Sequence, residues 1–245
     1  MTIINAILFF LIALIYSSAG FGGGSMYLAV LGQVSDSVPF VRFTGLSCNA
    51  VVTTTGAIHF HIKKWIVWKP LLLLLLCSVP FCVWSSTWRV TSKTYFITLG
   101  ICLLIAGIFM LIKKRNIENN KVPSRNSWWL LPASMVIGFL SGLTGIGGGV
   151  YLSPLLHLSN WGSAKHIAAS SSVFILINSI AGLMVQYFFH GDRLQMDAVI
   201  FLGAAFTGGL IGSKLSSSVL SQNMVRIITI VLIIFASLRI LYRNL

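Results

Sequence analysis

Long apolar stretches separated by short polar connections dominate the chain. Continuous runs at 38–60, 66–84, 94–112, 167–189, 196–213 and 224–242 each come near the ~20 residues with which a helix crosses a bilayer. The pattern therefore predicts six spans. Two further stretches, 3–32 and 128–158, are too long for one straight crossing, since ~30 helical residues reach ~45 Å against a hydrocarbon core of ~30 Å. Each must bend, break or double back, and the sequence marks where. Gly20-Phe21-Gly22-Gly23-Gly24 lies within the first and Gly145-Ile146-Gly147-Gly148-Gly149 within the second. Glycine clusters are poor helix residues, so each should open a helix where backbone is hardest to leave unpaired.

The two clusters stand 125 residues apart in a chain of 245. Gly56 with Gly182, and Phe60-His61 with Phe189-His190, follow in the same order, and a run of matched landmarks is the mark of an internal duplication. The expected fold is an all-α integral membrane protein of two homologous halves, each a glycine-interrupted helix or re-entrant hairpin plus three transmembrane helices. The first repeat takes residues 1–112, a basic cytoplasmic linker 113–127, and the second repeat 128–245. Interrupted apolar segments at matching positions point to a transporter whose substrate site lies between the repeats.

Composition agrees with a membrane chain: 56% of residues are hydrophobic, 9% are charged, and the mean hydropathy is +0.91. A cleavable signal peptide is not expected, because Met1-Thr2-Ile3-Ile4-Asn5 has no basic segment. Cys48, Cys77, Cys82 and Cys102 fall inside predicted spans with no metal-ligand spacing and read as small apolar residues. All seven tryptophans, Trp65, Trp68, Trp84, Trp88, Trp128, Trp129 and Trp161, sit near span ends or loops, where rings settle at headgroup level. The net charge of +13 is read as loop asymmetry that orients the chain, not as a nucleic-acid footprint. Lys113, Lys114, Arg115, Lys121 and Arg125, with Lys63, Lys64 and Lys69 two spans earlier, mark the cytoplasmic face.

Charge leaves two topologies open. If both glycine stretches cross, there are eight spans and parallel repeats; if both turn back, there are six spans plus two hairpins and inverted repeats. Both arrangements leave the same majority of the 17 basic residues inside. About 15 residues on each side of a glycine tip suit a hairpin that ends near the midplane, which favours inversion.

A helix that restarts after an open glycine turn offers unpaired backbone N–H groups and the positive end of its dipole, and both favour an anion. Gly22, Gly23, Gly24 and Ser25, and Thr144 with Gly147, Gly148 and Gly149, are therefore candidate substrate-binding residues. Close helix packing is the competing reading of such glycines. Ser47 and Asn49 in the span after the first cluster, and Ser171 and Asn178 after the second, lie on narrow polar faces that are candidates to line a path, although such hydroxyls often only satisfy their own helix. Arg42, near the mouth of its span, is a candidate to attract the anion. The acids Asp36, Glu118, Asp192 and Asp197 lie in loops or near span ends, so no carboxylate is expected in the membrane interior to hold a cation or carry a proton. No metal site, cofactor or nucleic acid is expected; the expected partners are a small anion and the bilayer, and a homo-oligomer is compatible with the sequence.

These features resemble the sulfite exporter TauE/SafE family of membrane permeases. The resemblance covers the whole chain through its size, its two halves and the pattern G-x-G-G-G followed by a proline, complete from Gly145 to Pro154; the first half departs from it, with Ala29 in place of the proline. It implies a multi-pass permease of the bacterial inner membrane for small sulfur-containing anions such as sulfite or organosulfonates. Two other readings are weighed against it. One is an intramembrane hydrolase using Ser25 or Ser170 to Ser172 with His157 as base, and the other is a scaffold that only assembles partners.

Overall fold

The computed structural model describes residues 2–18, 20–112, 128–159, 161–215, 227, 230, 231, 234, 235 and 237–242. The expected linker 113–127, with its basic cluster and Glu118, and part of the run 224–242 lie outside the described residues. Among the described residues the elements are helical: α1 (Thr2–Ser18), α2 (Gly24–Val34), α3 (Val38–Ile62), α4 (Trp68–Ser86), α5 (Ser92–Ile112), α6 (Leu130–Thr144), α7 (Gly149–Leu158), α8 (Ala164–His190) and α9 (Met196–Leu215). Residues 237–242 are helical as well. Trp68–Ser86 and Lys165–His190 are each long and apolar enough to cross a membrane unaided. Leu72, Leu76, Ile101, Ile105, Phe188 and Phe189 project outward from α4, α5 and α8, an apolar exterior that suits lipid.

Both long stretches break at their glycines. Gly20 (φ 79°) and Gly23 (φ 84°) end α1 and open α2, and Gly145 (φ 78°), Gly147 (φ 81°) and Gly148 (φ 81°) do the same between α6 and α7. That left-handed region is costly for any residue with a Cβ. The chain doubles back at each break. Tyr27 of α2 stacks on Phe9 of α1 with ring centres 4.8 Å apart, whereas eighteen residues of unbroken helix would separate them by about 27 Å. At the second break a Cβ on Gly148 would lie 3.0 Å from Ile137 of α6, against about 16 Å along an unbroken helix.

Small residues let the remaining helices approach closely. Gly208 and Gly212 of α9 bear on the carbonyls of Phe10 and Leu14 in α1, and Gly138 and Gly142 of α6 bear on those of Ser78 and Cys82 in α4. Both are small-x-x-x-small contacts of the membrane type. The register of each pair rises together, so α1 runs parallel to α9 and α4 parallel to α6.

At the centre α3 packs against α8, and the two run antiparallel. A Cβ on Gly56 of α3 would stand 3.3 Å from Ser172 Oγ of α8, and one on Gly182 of α8 would stand 3.1 Å from Leu46 of α3. The ends agree with this direction. Lys165 at the start of α8 lies with its Nζ 4.9 Å from the ring centre of Trp65, just past the end of α3. Arg89, after α4, donates from Nε to Nδ1 of His190 at 3.0 Å, and His190 Nε2 donates to the Ser86 carbonyl at 3.0 Å. Loop 63–67 and the start of α8 therefore share one face, and loops 87–91 and 190–195 the other.

Three of the four cysteines, Cys48, Cys82 and Cys102, are buried thiols as expected, and Cys77 is half-buried. Trp161 corrects the expectation of an all-peripheral tryptophan set. It is 3% exposed and donates its indole N–H to Ser170 Oγ at 3.1 Å, so the ring is turned inward against α8.

Candidate functional site between the two helix breaks

The starts of α2 and α7 meet near the middle of α3, and Asn49 is the residue between them. The backbone N–H of Gly24 donates to Asn49 Oδ1 at 3.1 Å. In the other direction Asn49 Nδ2 donates to the Ile146 carbonyl at 3.1 Å and to Ser179 Oγ of α8 at 3.0 Å. One fully buried amide thus bonds the first break, the second break and α8 at once, and each of its polar ends is used. The glycines are fitted to it: a Cβ on Gly22 would collide with Asn49 Oδ1, and one on Gly147 with Asn49 Nδ2. Gly24 faces the second break directly, since its Cβ would lie 2.5 Å from the Ile146 carbonyl.

The two candidate amide nests differ in their surroundings. At the first break the Gly24 N–H is already taken by Asn49 Oδ1, which caps α2 from another helix. At the second break Ile175 lies against Gly147 and Gly149 and offers no such acceptor. Ser25 is fully buried, and its hydroxyl has no hydrogen-bond partner. The segments 22–25 and 145–150 are buried throughout.

Around the breaks a second layer fixes the chain. Ser172 Oγ donates to the Gly20 carbonyl at 2.7 Å, and Tyr95 Oη to the Thr144 carbonyl at 2.8 Å. Thr144 Oγ1 turns back to the Leu140 carbonyl at 2.7 Å. Arg42 is 4% exposed and lies beside the second break, not at an open mouth: its Nη2 donates to the Gly142 carbonyl at 2.6 Å, and a Cβ on Gly145 would lie 3.5 Å from its Cγ. A guanidinium there suits the negative end of the α6 dipole. With the Gln186 amide turned to satisfy both neighbours, its oxygen accepts from Arg42 Nη2 at 3.1 Å and its nitrogen donates to Asp192 Oδ2 at 2.8 Å. The charge of Arg42 thus reaches a carboxylate only through an intervening amide.

Other sequence candidates stand elsewhere or serve their own helix. Asn178 faces α4, accepting from Ser78 Oγ at 2.9 Å and donating to the Phe174 carbonyl at 2.9 Å. Its hydrogen bonds reach neither break, whereas those of Ser172 and Ser179 on α8 go to Gly20 and Asn49. Ser47 is buried on α3, and Ser171 is buried on α8 with a hydroxyl that has no partner. Thr53, Thr54 and Thr55 bond back to carbonyls of α3. Of the hydroxyls considered for a hydrolase, Ser170 accepts from Trp161 and Ser172 donates to Gly20, while the side chain of His157 lies outside the described residues. Residues the pattern did not single out include Gln186, Tyr95 and Tyr27. A glutamine inside an apolar helix was the available signal for the first; nothing local marked the tyrosines.

The model of the sulfite exporter TauE/SafE family matches residues 5–240. The chain belongs to that family. It is 31% identical over 242 residues to the probable membrane transporter protein y4hK of Sinorhizobium fredii, covering 97% of each chain. It is 23% identical over 245 residues to the probable membrane transporter protein YunE of Bacillus subtilis, covering 89% of each. To sulfite exporter TauE/SafE family protein 1 of Arabidopsis thaliana it is 31% identical over 106 residues, 43% of this chain and 23% of that one. No solved structure matches. This TauE/SafE protein is a membrane transporter, and its relatives' names point away from an enzyme.

Proposed function

We propose that the protein is a multi-pass permease of the bacterial inner membrane, an exporter of small sulfur-containing anions such as sulfite or organosulfonates. Its mechanism is alternating access between two inverted repeats. The observation that carries the reading is the meeting of both glycine breaks at Asn49, which joins two helix starts in the membrane interior. Positive helix ends aimed at one place favour an anion there, and interrupted helices converging at the midplane are the transporter pattern.

Several geometric matches support repeats with exchanged partners. Gly23 stands against Ile12 as Gly148 stands against Ile137, and Gly56 meets Ser172 as Gly182 meets Leu46. The antiparallel course of α3 and α8 supports inversion, since parallel repeats would run these helices the same way. Burial of both breaks supports an occluded conformation, from which motion of the halves would open the site to either side. Gly22, Gly23, Gly24, Ser25, Asn49, Gly147, Gly148 and Gly149 form the substrate region, with Arg42 as the nearby positive charge. Outward movement of a monoanion is driven by about 2.3 kcal/mol per 100 mV of inside-negative potential, so export needs no coupled ion.

The test is anion flux from proteoliposomes loaded in parallel with sulfite, thiosulfate, sulfoacetate or chloride. The expected outcome is protein-dependent efflux of the sulfur oxyanions that accelerates with an inside-negative potential. No protein-dependent flux of any of the four ends the proposal.

A further inference from the structure

The antiparallel seam of α3 and α8 carries matched pairs at heptad spacing. Gly56 meets Ser172, Asn49 meets Ser179, and Arg42 meets Gln186, each pair seven residues from the next on both helices. Two helical turns, about 10 Å, separate neighbouring pairs. The middle pair lies at the two breaks, through the hydrogen bonds of Asn49 to Gly24 and Ile146. The Arg42 pair stands nearest the face of loops 87–91 and 190–195.

What this outer pair lacks is a direct counter-charge. Arg42 is 4% exposed and Gln186 1%. Among the described residues the hydrogen bonds of Arg42 leave from Nη2 and end on two neutral oxygens, the Gly142 carbonyl and the Gln186 amide. A buried cation is costly without a charge of opposite sign beside it, and inside a membrane such a group marks a pathway. Asp192 stands one residue beyond. Its carboxylate accepts from the Gln186 amide nitrogen at 2.8 Å, and its backbone N–H donates to the Gln186 carbonyl at 3.0 Å. The acid thus holds Gln186 against Arg42 and leaves the guanidinium without a carboxylate of its own.

We infer that the Arg42–Gln186 pair is the outer subsite of the anion's path, where an oxyanion leaving the breaks takes the place of the Gln186 amide oxygen on Arg42. Gln186 is a displaceable neutral acceptor: it satisfies Arg42 between substrates without competing as strongly as a carboxylate would. Asp192, just beyond, repels the bound anion and favours its release. This rests on the permease reading and adds to it a second step nearer the outer face.

The test compares sulfite efflux by the full-length protein in proteoliposomes for wild type, Asp192→Asn, Arg193→Gln and the exchange Gln186→Glu with Asp192→Asn. The exchange keeps the net charge and lets the hydrogen bonds of the pair re-form, but it gives Arg42 a carboxylate of its own. The expected result is a KM raised about tenfold, the difference between a neutral and a charge-assisted hydrogen bond, in a protein that melts no lower than wild type. A purely structural Arg42 predicts a wild-type KM in an equally stable protein, and that result overturns the inference while the permease reading stands. Asp192→Asn alone should lower KM about threefold, because an opposing charge leaves the path. An unchanged or raised KM there overturns the inference, and it does so even if the exchange variant fails to fold. Arg193→Gln removes an exposed cation from the same face and should leave KM within about twofold. A rise as large as that of the exchange variant would reduce the effect to surface charge and overturns the inference too. Absence of flux in the wild type removes the permease reading and this inference together.

Discussion

At the residue scale, Asn49 holds more of the architecture than any hydroxyl near it. Its amide closes three hydrogen bonds that join α3 to Gly24, Ile146 and Ser179. Replacing it with leucine, of similar size, orphans a backbone N–H and a carbonyl in the membrane interior, and each orphaned group costs about 1–3 kcal/mol. Asn49→Leu should therefore lower the unfolding temperature in detergent by several degrees, read by intrinsic tryptophan fluorescence. Asn49→Asp poses a different problem. It keeps the acceptor for Gly24 but turns the donor facing Ile146 into an oxygen, setting like partial charges together and placing a carboxylate where the anion is expected. Its flux should fall further than its stability, and proportionate losses would make Asn49 a purely structural link.

At the element scale the breaks and the packing glycines make separate demands. Gly22→Ala drives a methyl into Asn49, and Gly23→Ala forces a side chain to φ 84°. Both should abolish folding or flux, visible as loss of the monodisperse peak on size exclusion. Gly203→Ala is the matched control: it lies in α9, is exposed, and a Cβ there meets nothing within 4 Å. Alanine in a helix gains about 0.5–1 kcal/mol over glycine, so that variant should melt at the wild-type temperature or slightly above. The same division explains what the sequence exposed. The predicted runs at 38–60, 66–84 and 94–112 coincide closely with α3, α4 and α5, because an apolar run of spanning length has one stable form in lipid. The break positions were equally legible, since the triplets mark them. The bonding partners across the breaks were not, because Asn49 meets Ser179 and Arg42 meets Gly142 through long-range packing that no local pattern encodes. Asn178 shows the same limit. Its spacing matches the polar face of its helix, yet that edge of α8 faces Ser78 of α4.

At the scale of the whole molecule, two contacts favour the proposed inverted arrangement over the eight-span one that charge alone left equal. With eight spans, loop 87–91 lies outside and loop 190–195 inside, so Arg89 and His190 would be a membrane apart. They are 3.0 Å apart. Trp65 and Lys165 require the same arrangement on the other face, where the ring and the ammonium lie 4.9 Å apart. Single cysteines introduced in a background with the four native ones replaced provide the check. Lys93→Cys and Arg193→Cys should react with an impermeant maleimide in intact cells, whereas Lys63→Cys and Lys165→Cys should react only after permeabilisation. All four native side chains are exposed, so access depends on the side of the membrane and not on burial. The eight-span arrangement exchanges two of these outcomes, with Lys165→Cys labelled from outside and Arg193→Cys protected. Lys63 and Lys93 keep their sides in both arrangements and report that the assay distinguishes the faces. Labelling of Lys165→Cys in intact cells would remove the inverted relation of the halves, and with it the reason for two helix starts to reach the same depth from opposite sides.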